Sequence, residues 1–519
     1  MQRLPYFKTG LQRHRMNALN RTDAEFCGKV PLHQTNLIQP HGYLLVIDKR
    51  DFTILQVSEN VEDLLGKPAN DVINTSLETY IADSDLQDVK NRFNYSGGEG
   101  IPFVFSFHSG ERLAVIKFQE AYFILEVDLE IRSLQKATSF IPIYQELKFV
   151  MAAIERADSI NEACLIAIKE LKRVSGFDKI MVYSFDEEWN GDVIAEVMEA
   201  GMDSYLGLKF PASDVPQQAR ALYLKMPYRL IPNIDYVPVK LYPVINPAIN
   251  GFTDLSDSNL RSVAGVHLEY LANMKVKASM STRIMENGKL WGLIACHNRE
   301  PLYLSFEFCA LFELVSNVLS AKLQSLSAQD SFNYKSGMQA KQLEIVEDVY
   351  KEADIFKALK KNEKNILSVL GAEGVSIILN RNQISYGRVP SQEEVNELVY
   401  WLQSKKVDKT YHQQGLSFEF EPALAYADKA SGLLVLPIQA EKGNYILAFR
   451  PEEKRQVNWG GNPNEAINFE PGGKKYHPRA SFNIWQQNVD KKALPWQEQE
   501  LEVAETFRNF VMDYALNKM

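Results

Sequence analysis

Among the polar residues between positions 229 and 297 are Arg229 and Arg261, His267 and His297, and Ser279 and Ser281. A guanidinium grips a carboxylate through two parallel N–H donors, and serine and histidine add single donors. Tyr183, Phe210 and Tyr270 offer flat faces against which a conjugated ring packs. Read together, these residues describe a pocket for a planar, dianionic ligand. Each taken alone has a plainer reading: an arginine in a surface ion pair worth about 0–1 kcal/mol, or a histidine satisfied inside a core. No Cys/His/Asp cluster at ligand spacing accompanies the histidines, so a metal is not indicated.

A second group lies just upstream. In "LKFPASDVPQQARALYLKMPYRLIPNIDY" (208–236), Phe210, Asp214, Tyr223 and Arg229 crowd one short helix. Ser213 or Asp214 can cap that helix, with Pro216 in its first turn. The stretch is either a capped surface helix or the wall of a binding site. Of the four cysteines, Cys164 and Cys309 lie on helical apolar stripes and Cys296 in a strand-like run, the places of small buried hydrophobes. Cys27 sits instead in an N-terminal tail. Its thiol is either incidental or a reactive attachment point.

At 519 residues the chain is too long for one core, and three or four domains are expected. A formal net charge of −9 argues against a general nucleic-acid binder. No apolar run approaches the roughly 20 residues of a membrane helix, and the N-terminus lacks a secretory pattern. These features lead to the expectation of a cytoplasmic protein with no membrane partner. "YLLVIDKRDFTILQVSENVEDLLG" reads as two strands and a short helix, and "ERLAVIKFQEAYFILEVDLEI" as two more strands. A second unit opens with helices near residue 140 and holds the hairpin "KASMSTRIMENGKLWGLIACHN", with "ENGK" as its turn. A helix follows, with Phe308, Phe312, Val315, Leu319, Leu323 and Leu326 on one stripe. A third α+β unit contains an unusual stretch, residues 451–495, with little periodicity but rich in aromatics. The last helix places Leu501, Ala504, Phe507, Val511 and Tyr514 on one face and stops without a cap, as a helix does that continues into something else. No P-loop, dinucleotide-binding or hydrolase motif is present, and no catalytic constellation emerges.

"FPASDVPQQARALY", "LRSVAGVHLEYLANMKVKASMS" and "LWGLIACHN" closely resemble the chromophore-binding region of bacterial phytochromes. "LIQPHG" (37–42), "NWGGNP" (458–463) and "HPRASFNIW" (477–485) extend the resemblance over the whole chain. It implies an α+β protein of three domains, each an antiparallel sheet with flanking helices, joined by long helices. The implied layout is an N-terminal extension (1–26), a PAS domain with the bilin-attachment segment (27–135), a GAF domain (136–327) and a PHY domain (328–519). The PHY domain carries a hairpin "tongue" at about 451–492 and a C-terminal output helix. A figure-of-eight knot is implied between PAS and GAF, with the segment around Ile38 passing through a loop at 233–257.

The resemblance also implies the chemistry: a red/far-red photoreceptor carrying biliverdin IXα as a covalent thioether on Cys27. Asp214 and Val215 belong to the motif beneath the pyrrole nitrogens. Arg229 and Arg261 match the pair on one propionate. Tyr223, His267, Ser279 and Ser281 match the group around the other. His297 matches the donor to the D-ring carbonyl, and Tyr183, Phe210 and Tyr270 match the D-ring pocket. Trp459, Arg479 and Ser481 match the tongue switch, with Arg479 meeting Asp214. Bilin isomerisation, coupled to tongue refolding, would control an output such as a histidine kinase. The chain would then be the sensor half of a homodimer, without catalysis of its own, acting through that output domain on a response regulator. Two other readings stand beside this one: a light-independent GAF sensor of a small ligand, and an enzyme acting on a bilin.

Overall fold

The computed structural model describes residues 32–92, 100–130, 140–352, 355–465, 467–469 and 476–518. Cys27 lies outside them. The chain divides into two compact units, one formed by residues 1–324 with 458–485, the other by 325–457 with 486–519.

The first unit opens with β1 (Leu37–Ile38), β2 (Gly42–Asp48), β3 (Ile54–Ser58), β4 (Ile101–Phe107), β5 (Gly110–Phe118) and β6 (Tyr122–Asp128). β2 and β6 are buried along nearly their whole length, because both faces of this sheet are covered. One face packs Leu45, Ile47, Phe105 and Phe123 into the domain core, and the other packs Leu44, Val46 and Ile124 against Leu255 and Leu260.

Next come α1 (Phe140–Arg156) and α2 (Ile160–Ser175). Ala163, Cys164, Ala167, Ile168 and Leu171 form the buried stripe of α2. The Ser159 hydroxyl accepts from the Glu162 amide at its start, and Gly176, at φ +74°, closes its end. The sheet they cover contains β7 (Lys179–Phe185), β8 (Gly191–Met198), β9 (Lys209–Phe210) and β10 (Tyr228–Ile231). It also contains β12 (Ala278–Glu286) and β13 (Lys289–Asn298), while β11 (Val239–Tyr242) leaves it to pair between β1 and β3. The β12–β13 hairpin turns at Asn287 and Gly288, both at positive φ, as a two-residue primed turn requires.

α3 (Gln217–Lys225) and α4 (Gly265–Asn273) lie in the long connections of this domain. One expectation is corrected here. Neither Ser213 nor Asp214 caps α3; its N-cap is Pro216, which offers no side-chain acceptor. Asp214 ends a separate short 3₁₀ turn (Ala212–Asp214), with Val215 between the two elements, and its carboxylate turns elsewhere. α5 (Phe306–Lys351) begins in this unit, burying Phe312, Val315, Leu319 and Leu323 as the stripe predicts.

The second unit is an antiparallel sheet of order β15-β14-β18-β17-β16, with β14 (Gly374–Leu379), β15 (Asn382–Gly387), β16 (Tyr411–Gln413), β17 (Gly432–Gln439) and β18 (Asn444–Arg450). Alternation assigns its two faces. Leu433, Val435, Tyr445 and Leu447 pack on α6 (Gln392–Ser404), which starts with a Ser391/Glu394 capping box. Leu434, Leu436, Ile446 and Ala448 pack with Ala504, Phe507 and Val511 of α7 (Glu498–Lys518).

The aperiodic stretch forms strands: β19 (Arg455–Gly460), β20 (Ile467–Phe469), β21 (Tyr476–Pro478) and β22 (Ile484–Val489). Its middle part, residues 458–485, belongs to the first unit, where Trp459 of β19 pairs in parallel with Lys209 of β9.

Candidate functional site

The inner face of the β7-β13-β12 sheet is built from alternate residues. Met181 and Tyr183 come from β7, Ser279 and Ser281 from β12, and His297 from β13. α3 adds Tyr223, and α4 adds His267 and Tyr270, three residues apart and so on one face, their rings stacked at 6.0 Å and 10°. Arg229 on β10 and Arg261 in the loop before α4 complete the group.

The arginines are the most informative members. Arg229 Nη1 donates to the carbonyls of Asn259 (2.7 Å) and Ser258 (3.3 Å), and its Nη2 donates to that of Arg261. Arg261 Nη1 donates to Leu255 and Ser256, both at 3.0 Å. Neither guanidinium has a carboxylate partner among the described residues, and on both the Nε donor is left over. Burial, and then the neighbouring Arg261 charge, lower Arg229 to about 9. Two neighbouring interior cations with no carboxylate in direct contact are costly unless an anion joins them.

Burial and the Arg229 charge bring His267 down to about 4, and burial with Lys179 and His267 brings His297 down to about 3. Both are therefore neutral imidazoles near pH 7 and can donate one N–H each. Neither makes a side-chain hydrogen bond among the described residues. Tyr223 Oη and Ser281 Oγ share a 2.5 Å hydrogen bond. Tyr183 Oη is buried without a partner among the described residues. His267, Tyr223, Tyr270 and Arg229 are half-buried, and burial is the main cause of each one's pKa shift.

Asp214 closes one end. Its Oδ2 accepts from Tyr270 Oη (2.7 Å) and from Arg479 Nη2, and both partners of this ion pair are almost fully covered, at 6% and 3% side-chain exposure. Burial lifts the Asp214 carboxyl to about 6, against the opposing pull of Arg479 and the Tyr270 hydroxyl. The Arg479 guanidinium lies 4.8 Å from the Phe482 ring centre and 5.3 Å from that of Phe210, while its Nε and Nη1 have no acceptor among the described residues. Two glycines allow this fit. A Cβ on Gly460 would stand 2.6 Å from the Phe210 ring, and Gly461 takes φ +97° beside Arg479.

Three models match the chain: "PAS fold" at 27–131, "GAF domain" at 159–323 and "Phytochrome region" at 338–519. Cyanobacterial phytochrome B of Nostoc sp. is 36% identical over 502 residues, covering 96% of this chain and 67% of that protein. This chain belongs to the phytochrome family. A bacteriophytochrome of Pseudomonas aeruginosa is 31% identical over 498 residues, covering 95% of this phytochrome and 66% of the relative. The chain thus spans about two thirds of the length of these curated relatives. Among solved structures, bacteriophytochrome RpBphP3 from R. palustris matches with a TM-score of 0.83 and 33% identity, over 95% of this chain and 99% of that one. The Stigmatella aurantiaca phytochrome photosensory core module matches at 0.82 and 32%, over 95% and 98%.

The phytochrome fold gathers Tyr183, Phe210, Asp214, Tyr223, Arg229, Arg261, His267, Tyr270, Ser279, Ser281 and His297 into one domain. Val215 packs at its edge with Met181 and Tyr183. Ser481 is exposed, and its hydroxyl accepts from the Asn483 amide at 3.4 Å. Three participants escaped sequence reasoning. Asn273 Nδ2 donates to the Arg479 carbonyl (3.2 Å), Glu269 meets His477 Nδ1 at 2.9 Å, and the Phe482 ring stands edge-on to Tyr270 at 5.1 Å. Phe482 lies inside the quoted "HPRASF" motif and was within reach. Glu269 and Asn273 are four residues apart on α4, a spacing that showed only once β21 was placed against that helix.

Proposed function

We propose that this phytochrome is a red/far-red photoreceptor that holds biliverdin IXα covalently through Cys27. The observation that carries the reading is the pair of interior guanidiniums, Arg229 and Arg261, with no carboxylate in contact among the described residues, beside neutral His267 and His297. That donor set suits a planar dicarboxylate with carbonyl ends. When bound, the pigment would supply visible absorption and light-driven rotation about a methine bridge.

Arg229 and Arg261 would bind one carboxylate through their remaining N–H groups. Tyr223, His267, Ser279 and Ser281 would bind the other. Neutral His297 would donate to a terminal carbonyl, and Tyr183, Phe210 and Tyr270 would orient that end ring and exclude water. Asp214 holds Arg479 of the tongue, so any change that draws Tyr270 or Asp214 away loosens that contact. The tongue would then refold between strand and helix, a two-state element biased by the ligand. A histidine kinase output, reached through α7 in a homodimer, completes the proposal. The pairing of Leu37 with Lys240 and Ile38 with Val239, and the Gln39 amide donating to Leu230 O (3.1 Å) and Asn259 O (3.2 Å), support the knotted path expected for this segment.

The test is a difference absorption spectrum of apo protein mixed with biliverdin, read after red and then far-red light. A reversible difference, lost or blue-shifted in Cys27→Ser, is expected. No bound pigment would overturn the reading in favour of a light-independent GAF sensor.

A further inference from the structure

The tongue touches the GAF domain at the β9 edge through Trp459 and at Asp214 through Arg479. Both places converge on one feature that no motif singled out, the turn from β7 to β8 at residues 186–190. Asp186 Oδ1 accepts the amides of Glu188 (2.9 Å) and Asn190 (2.8 Å). Asp186 Oδ2 accepts Asn190 Nδ2 (3.1 Å) and Lys209 Nζ (2.8 Å), and Lys209 is the residue that pairs with Trp459. Asn190 Oδ1 in turn accepts the Ala212 amide at 3.2 Å, gripping the 3₁₀ turn that ends in Asp214.

The other side of that turn is held by Arg220 on α3. Its Nη1 donates to the carbonyls of Val215 (2.6 Å) and Ala212 (3.4 Å), which flank Asp214. The guanidinium lies 4.5 Å from the ring centre of Trp189, in the same β7–β8 turn. Trp189 sits at φ +65°, a conformation rarely tolerated by a bulky residue, and holding one there needs a surrounding structure that fixes it.

We propose that Asp186, Asn190 and Arg220 form a positioning bracket that sets the place of Asp214 and of the β9 edge, and so determines whether the tongue docks. The inference rests on the photoreceptor reading only for what the docking serves. Its test needs no pigment, so the two can fail separately.

The experiment is hydrogen–deuterium exchange on the whole apo chain, comparing wild type with Arg220→Met, Arg220→Lys and Asn190→Ala. Exchange of peptides spanning 476–485 should accelerate roughly ten- to a hundredfold in Arg220→Met, the size of one hydrogen bond from a charged group. Asn190→Ala should show a smaller increase, and Arg220→Lys should recover part of the protection, since an ammonium still reaches Val215 O but neither forks nor stacks. Strands β6 and β13 should exchange as in wild type. Infrared titration of the Asp214 carboxyl should also show a shifted midpoint in Arg220→Met. Unchanged tongue exchange would overturn the bracket, and so would equal acceleration everywhere, which marks a general loss of stability. If Arg220→Met does not fold, Asn190→Ala gives the same decision.

Discussion

The two faces of the GAF sheet are made by the same strands and obey opposite rules. On one face Ile180, Val182, Met280, Ile284, Ile294 and Cys296 meet α1, α2 and α5 in an apolar core. On the other, one residue away along each strand, stand Lys179, Tyr183, Ser279, Ser281 and His297. The first face gains stability by excluding water from hydrocarbon. The second gives stability up, beside guanidiniums that each keep an unspent Nε donor and with neutral histidines that make no side-chain hydrogen bond among the described residues. The comparison teaches that a binding face is recognised by the bonds it leaves unmade.

The comparison breaks most visibly on the apolar side. Phe312→Ala, at a side chain with no exposed surface and edge-on to Phe177 at 6.4 Å, should cost about 3–5 kcal/mol in urea unfolding of the apo protein. A loss below about 1 kcal/mol would show that this face is not the close-packed one.

Second is the Asp214–Arg479 pair. Arg479→Ala strands a covered carboxylate and should cost about 3 kcal/mol of local stability, read as faster exchange in the tongue with β6 unaffected. Covering Asp214 raises its carboxyl to about 6, so protonation favours the covered state. Tongue protection in wild type should hold or rise as pH drops through about 6 and stay flat in Asp214→Asn, and a fall would show that the ion pair outweighs burial. Because the folded value lies above the ordinary one, protonation itself favours the fold. This group's own contribution to stability therefore diminishes as pH rises from about 4 to 6.

Third is acid sensitivity. His41, His267 and His297 all lie below the ordinary histidine value of 6.5, at about 3, 4 and 3, with burial as the main cause. A depressed base leaves stability complete above pH 6.5, and it is lost as pH falls because the unfolded chain binds protons first. The melting temperature should decline from pH 6.5 toward 4, and His267→Leu should flatten that decline. An unchanged slope would mean that this histidine is not held neutral.

The smallest effect separates the faces most clearly. His297→Leu gives up no side-chain hydrogen bond among the described residues, so apo stability should stay within about 1 kcal/mol of wild type or rise. Pigment absorption should change. A loss near that of Phe312→Ala would place His297 among structural residues.

Much of this was legible in the chain. Period-2 alternation in "KASMSTRI" separates Met280 and Ile284 from Ser279 and Ser281 before any sheet is built, and "ENGK" marks the turn. The stripe from Phe308 to Leu326 marks a helix with one covered face. The long "PASDVP" and "HPRASF" motifs name Asp214 and Arg479. The residues that went unread are those whose role depends on a neighbour distant in sequence. Arg220, Asn273 and Glu269 look like ordinary polar positions on short helices. Asp214 reads as a cap because local sequence cannot tell a hydroxyl or carboxylate turned to its own helix from one turned to a guanidinium 265 residues away.

The sequence by itself determined the strand faces, the helical stripes and the residue types able to hold a dianion, because side-chain direction follows from local periodicity. Only the tertiary structure decided which donors stay free. Arg229 and Arg261 spend part of their hydrogen-bonding capacity on carbonyls at 255–261 and keep the rest, and Asp214 turns from its helix to Arg479. Whether a buried charge is satisfied depends on which distant groups surround it, and that is set by the packing of the whole domain.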